Sequence, residues 1–100
     1  MEEYGEILVT PEKLLEKAKE LENLILKAER ACGEIEEISE STKSCFQGKS
    51  ADRIRKAIRK KKEKGVFALE NVKKYPLKLQ EIAKEYDAAE RRNQNVSIGN

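Results

Sequence analysis

The sequence predicts an all-α protein: an antiparallel two-helix hairpin that dimerises into a four-helix bundle. Three observations lead there. Apolar residues recur at alternating steps of three and four along two long stretches, the period of a helix seam. Charged residues make up 40% of the chain and aromatics 5%, the balance of long amphipathic helices and not of aromatic-rich β domains. A polar connection ending in glycine interrupts the period near mid-chain. With 100 residues the chain is expected to form one domain with a thin core.

Helix one is expected over about 10–44. Thr10-Pro11-Glu12 is a helix start: threonine offers a cap, proline at the first helical position loses nothing, and a glutamate suits the positive end of the dipole. Leu14, Ala18, Leu21, Ile25, Ala28, Cys32 and Ile35 then form a strict heptad seam. A second row, Leu24, Ala31 and Ile38, widens the apolar face beyond what one neighbouring helix covers. Ser39, Ser41, Thr42 and Ser44 end the pattern, and a turn is expected at about 45–49, closing on Gly48.

Helix two is expected over about 50–92, with Ser50 as its cap and Asp52 in its first turn. Its seam reads Ile54, Ile58, Lys61, Gly65, Ala68, Val72, Tyr75, Leu79, Ile82 and Tyr86. Lys61 and Gly65 interrupt it, so the hairpin is expected to be weak there or its backbones close. Pro76 lacks an amide hydrogen, which predicts a kink near 76, and a heptad phase that survives it argues for a bend rather than a full break. Residues 93–100 read as a polar tail.

Helices of roughly 50 and 60 Å joined by so short a turn must fold back antiparallel. Residues 1–40 hold 12 acidic and 5 basic side chains, and residues 41–100 hold 7 acidic and 16 basic ones. The acidic first helix therefore faces a basic second one. One hairpin alone leaves the row Leu24, Ala31 and Ile38 wet, and pairing two hairpins covers it.

Several functions are set aside by composition. There is no histidine, which removes the common nucleophile–base pairs and zinc sets, and neither a Gly-rich phosphate loop nor a paired metal motif is present. No enzyme activity, cofactor, metal or small-molecule substrate is expected. Cys32 and Cys45 lie 13 positions apart on one expected helix, roughly 20 Å against the 7 Å limit for a disulfide. They read as a buried small side chain and a partly exposed thiol. No stretch approaches the roughly 20 apolar residues of a spanning helix, and Met1–Glu6 lacks the basic start of a signal peptide.

Two features remain open. Arg53–Lys64 holds eight cations and one acid, Glu63. The preferred reading pairs this run with the acidic first helix. The alternatives are nucleic-acid phosphates or an anionic membrane surface, and nucleic acid is disfavoured because aromatic stackers and a recognition motif are missing. Phe46, the one aromatic in the polar connection, reads either as a plug closing the hairpin or as a functional side chain.

The layout as a whole resembles the WXG family, the relatives of the early secreted antigenic target exported by bacterial type VII secretion. Ile7-Leu8-Val9-Thr10-Pro11-Glu12 with Leu14 looks like the family's entry into helix one. Phe46-Gln47-Gly48 stands where Trp-x-Gly stands, with phenylalanine in place of tryptophan. Gly48-Lys49-Ser50-Ala51-Asp52 is similar to the family's residues just after that motif, and Tyr86 and Glu90 fit its Tyr-x-x-x-Asp/Glu export motif. The resemblance implies a small secretion substrate or escort, made in the bacterial cytoplasm and secreted without a cleavable signal peptide. Phe46, Gly48, Tyr86 and Glu90 would form a composite export signal read by the type VII secretion ATPase. Leu14, Leu21, Leu24, Ile25, Ala28, Cys32, Ile35, Ile38, Ile54, Ile58, Val72, Leu79 and Ile82 would form the dimer or hairpin core. The partner is expected to be a second copy, a related small helical protein, or the helical domain of a larger secreted toxin. The alternative is a cytosolic coiled-coil adaptor or chaperone whose basic helix binds an acidic partner or nucleic acid.

Overall fold

The computed structural model describes residues 8–99, with side chains described through residue 93; Ile7, Met1–Glu6 and Asn100 lie outside the described residues. Every element among them is helical: α1 Pro11–Ser41, a 3-10 turn Thr42–Ser44, α2 Lys49–Val72 and α3 Lys74–Gly99. Two long helical stretches joined by a short gap make a helical hairpin. By contacts the chain divides into a turn unit, Glu22–Lys74, and a terminal unit, Met1–Leu21 with Tyr75–Asn100.

Pro11 occupies the first helical position of α1, and the first helical bond runs from the Leu14 amide to the Thr10 carbonyl at 2.9 Å. The other end of α1 is closed by its own polar residues. Ser41 Oγ donates to the Ile38 carbonyl and Thr42 Oγ1 to the Ser39 carbonyl, both at 2.6 Å, while Gln47 Nε2 donates to the Lys43 carbonyl at 3.0 Å. These bonds occupy carbonyls that the helix end leaves without partners.

Helix α2 begins one residue earlier than expected. Gly48 and not Ser50 is its N-cap, with no side-chain cap bond. Gly48 has φ 120° and ψ 175°, a conformation open essentially to glycine. The reversal is thus made by backbone geometry, and Ser50 is already helical. Asp52 does stand in the first turn, its amide bonded to the Gly48 carbonyl at 3.0 Å.

The expected single second helix is interrupted, and at Lys73 rather than at the proline. Pro76, fully buried, is the third residue of α3. It cannot donate to the Val72 carbonyl four residues back, and its ring crowds that carbonyl, so the ladder fails one turn upstream of the proline. Lys73 itself keeps helical angles, φ −57° and ψ −22°, and its amide still reaches the Leu69 carbonyl at 3.0 Å. Beyond residue 92, where a polar tail is expected, the backbone of α3 continues helical to Gly99.

In the turn unit, α1 and α2 run antiparallel. As the α1 partner of the ion pairs moves back from Glu40 through Glu36 to Glu29, the α2 side moves forward from Arg59 through Lys62 to Lys73. Ile25 is buried, contributing about 2 kcal/mol. Among the described residues of the terminal unit the buried side chains are small: Pro11 and Ala18 on α1, Pro76 and Ala83 on α3.

The inner seam of the second stretch differs from the one read in sequence. Ile58, Gly65, Val72 and Leu79 are inner positions in both. Between them the structure turns inward Arg55, Lys62, Leu69, Pro76 and Ala83, each one residue after the expected Ile54, Lys61, Ala68, Tyr75 and Ile82. Long cations can take inner positions because their methylene stems bury while their charged ends reach carboxylates. Ile54 and Lys61, the positions they displace, face outward.

Candidate functional site

The turn is built around one guanidinium. Arg55 lies four residues after buried Ala51 and three before Ile58, so the helix carries it inward, where it is 6% exposed. Its Nη1 donates to the Phe46 carbonyl at 2.7 Å and to Thr42 Oγ1 at 3.1 Å, and its Nη2 to Asp52 Oδ1 at 2.9 Å. The guanidinium carbon stands 5.9 Å from the centre of the Phe46 ring, within cation–π range. A planar fork with several donors suits this task, because it binds the 3-10 turn, the loop carbonyl and the first turn of α2 together. The Phe46 ring, still partly exposed, is thus held beside Gly48 at the end of the hairpin.

Arg55 is the residue that reading the sequence misses. It is hidden in the basic run, yet its phase with Ala51 and Ile58 marks it as an inner position.

The two flanks of the turn unit differ in chemistry. On one, Glu29 meets Lys73 at 2.8 Å, Glu36 meets Lys62 at 2.7 Å and Arg59 at 3.7 Å, and Glu40 meets Arg59 at 2.9 Å. Hydrogen bonds from Lys43 and then Arg59 hold the Glu40 carboxyl below its ordinary range. The Glu36 carboxylate raises Lys62, and Glu29 followed by Glu70 raises Lys73. Exposed pairs of this kind add little stability singly and set register.

The opposite flank is mostly apolar, with exposed Lys61 the one cation in its rows. On α1 it carries Leu24, Ala28, Ala31, Ile35 and Ile38, and on α2 it carries Ile54, Ile58, Lys61, Gly65 and Ala68, both rows at alternating steps of four and three. Leu24 is 61% exposed, Ile35 53%, Ile38 66% and Ile54 50%. Cys32, Ile35, Ala57, Ile58, Lys61 and Lys62 line one shallow groove, so the two rows share a face. A Cβ placed on Gly65 would stand 3.5 Å from Cys32 Sγ, an ordinary contact. Lys61 and Gly65 are therefore not a point of unusually close backbones.

The remaining expected site residues are divided between interior and surface. Ile25 is buried, and Leu14, Leu21, Ala28, Cys32, Ile58, Val72 and Leu79 are half-buried in the chain itself. Leu24, Ile35, Ile38, Ile54 and Ile82 are exposed. Phe46 and Gly48 belong to the turn unit. Tyr86 and Glu90 belong to the terminal unit, both exposed and one turn apart on α3, so a receptor can approach ring and carboxylate together. Cys32 and Cys45 are free thiols. Among the described residues no His, Cys, Asp or Glu group is placed to hold a metal ion, and no helix is long and apolar enough to cross a membrane.

Comparison with protein-family models, with curated proteins and with solved structures finds no match to this chain.

Proposed function

We propose that this chain is a small non-enzymatic helical binding protein of the WXG kind, a substrate or escort of a bacterial type VII secretion system that works as a four-helix assembly. The observation that supports the reading is the two-sided turn unit. Its ion pairs lie on one flank, and four large aliphatic side chains stand half or more exposed on the other. Contiguous apolar surface on a small protein marks an association site, and a second hairpin is the partner whose shape suits a face made of two antiparallel helices. A second copy is the first candidate occupant; a related small helical protein or the helical domain of a larger secreted toxin offers the same chemistry.

In this reading Arg55 fixes Phe46 and Gly48 as one half of the export signal, and Tyr86 with Glu90 supplies the other half to the secretion ATPase. The protein is made in the bacterial cytoplasm and exported from there. The test is export from a bacterium with an active type VII system. Tyr86→Ala and Glu90→Gln are expected to abolish appearance of the protein in the medium while leaving helicity and solution mass unchanged. Undiminished export of both variants contradicts the assignment.

A further inference from the structure

The basic run divides in the structure. Arg55, Arg59 and Lys62 are engaged with the turn and with α1 carboxylates, and Lys61 lies on the mostly apolar flank; the rest of the run, with Lys49 before it, faces outward. Lys49, Arg53, Lys56, Lys60 and Lys64 are all exposed on α2, and among the described residues none has a carboxylate within ion-pair distance. Their spacing of 4, 3, 4 and 4 keeps them on one line along the helix, pointing away from α1. At 1.5 Å per residue the line runs for roughly 22 Å. Phe67 continues it, 71% exposed and sharing a shallow groove with Lys60, Lys64 and the one acid at its edge, Glu63.

We infer that this outer face of α2 is a docking strip for the anionic surface of a lipid bilayer. The choice of occupant rests on shape and chemistry. Cations set along one line of a straight rod can all touch a flat sheet of phosphate and carboxylate headgroups at once, whereas phosphates of a nucleic-acid duplex follow a winding track. A single projecting aromatic ring at the end of the line suits insertion at headgroup depth. The strip stands apart from the apolar flank, so it remains open when a second hairpin covers that flank, and it does not depend on the export reading.

Near a surface rich in anionic lipid each lysine or arginine strengthens binding about fivefold. The experiment is sedimentation of the full chain with vesicles of phosphatidylcholine alone or with about one third phosphatidylserine, at low and high salt. Binding is expected to the anionic vesicles only and to fall steeply with salt. A Lys56→Gln, Lys60→Gln, Lys64→Gln variant is expected to bind about a hundredfold more weakly, and Phe67→Ser to weaken binding by a smaller factor. Lys13→Gln, Lys17→Gln, Lys19→Gln on α1 removes the same charge and is expected to bind as the unaltered chain does. No binding to anionic vesicles, equal loss in both triple variants, or tighter binding to duplex DNA at the same salt overturns the inference.

Discussion

The turn unit and the terminal unit are held by different means, and the difference decides which side chains each leaves at the surface. In the turn unit, carboxylates of α1 meet cations of α2 along one flank, and a buried guanidinium ties three segments together at the loop. Among the described residues of the terminal unit the buried ones are Pro11, Ala18, Pro76 and Ala83, and the ion pairs, Lys17 with Glu20 and Asp87 with Arg91, stay within one helix. Ion pairs cross between helices in the first, and the buried side chains are small in the second. Because charge takes inner positions in the turn unit, three of its isoleucines, Ile35, Ile38 and Ile54, stand at the surface, while Ile25 stays buried.

The largest difference between the units is expected at Arg55. Arg55→Ala strands the Phe46 carbonyl and removes the buried fork, so unfolding by urea is expected to show a loss of about 3 kcal/mol. Arg55→Lys, which keeps the charge and loses the fork, is expected to recover only part of it. In the terminal unit the corresponding stress is volume. Ala83→Leu puts extra methylenes where no surface is exposed and is expected to cost about 2 kcal/mol, whereas the same change at exposed Ala68 is expected to leave stability nearly unaltered.

Two smaller effects sharpen the contrast. Gly65→Ala is expected to raise stability by about 0.5–1 kcal/mol, since the helix gains a better former and the new methyl meets only Cys32 Sγ at contact distance. The smallest effect is on pH. Glu40 is held below its ordinary range by Lys43 and Arg59, so its contribution is present above the unfolded carboxylate range and disappears as pH falls through the depressed folded value. Lys62 and Lys73 are raised by Glu36 and Glu29, so theirs is present below the ordinary lysine range and disappears as pH climbs through the raised values. The melting temperature is expected to hold a plateau between those ranges and to fall at both ends. Glu40→Gln should flatten the acid shoulder alone.

Much of the fold is legible from residue spacing. The seam from Leu14 through Cys32 reads correctly because its residues, Leu14, Ala18, Leu21, Ile25, Ala28 and Cys32, are buried or half-buried, while Leu24 and Leu26 beside it are exposed. Past Cys32 the two sets part. Glu36 and Ser39 turn inward while Ile35 and Ile38 turn out, and on α2 Arg55 and Lys62 do the same to Ile54 and Lys61. A hydrophobic period follows every apolar position, whichever surface covers it, so it cannot separate a seam closed within the chain from one left uncovered. Pro76 announces the interruption but not its place, because the bond it removes belongs to a carbonyl four residues earlier. The Gly48 cap is hidden because Ser50 has the better capping side chain, while the turn is set by a backbone angle that favours glycine.

The most direct test is the solution mass by light scattering of the unaltered chain beside an Ile35→Glu, Ile54→Glu variant. Both substituted positions are exposed, so the fold should survive. The expected mass is twice 11.5 kDa for the unaltered chain, and 11.5 kDa with unchanged helicity for the variant. A single-chain mass for both would contradict association of two copies through the apolar flank.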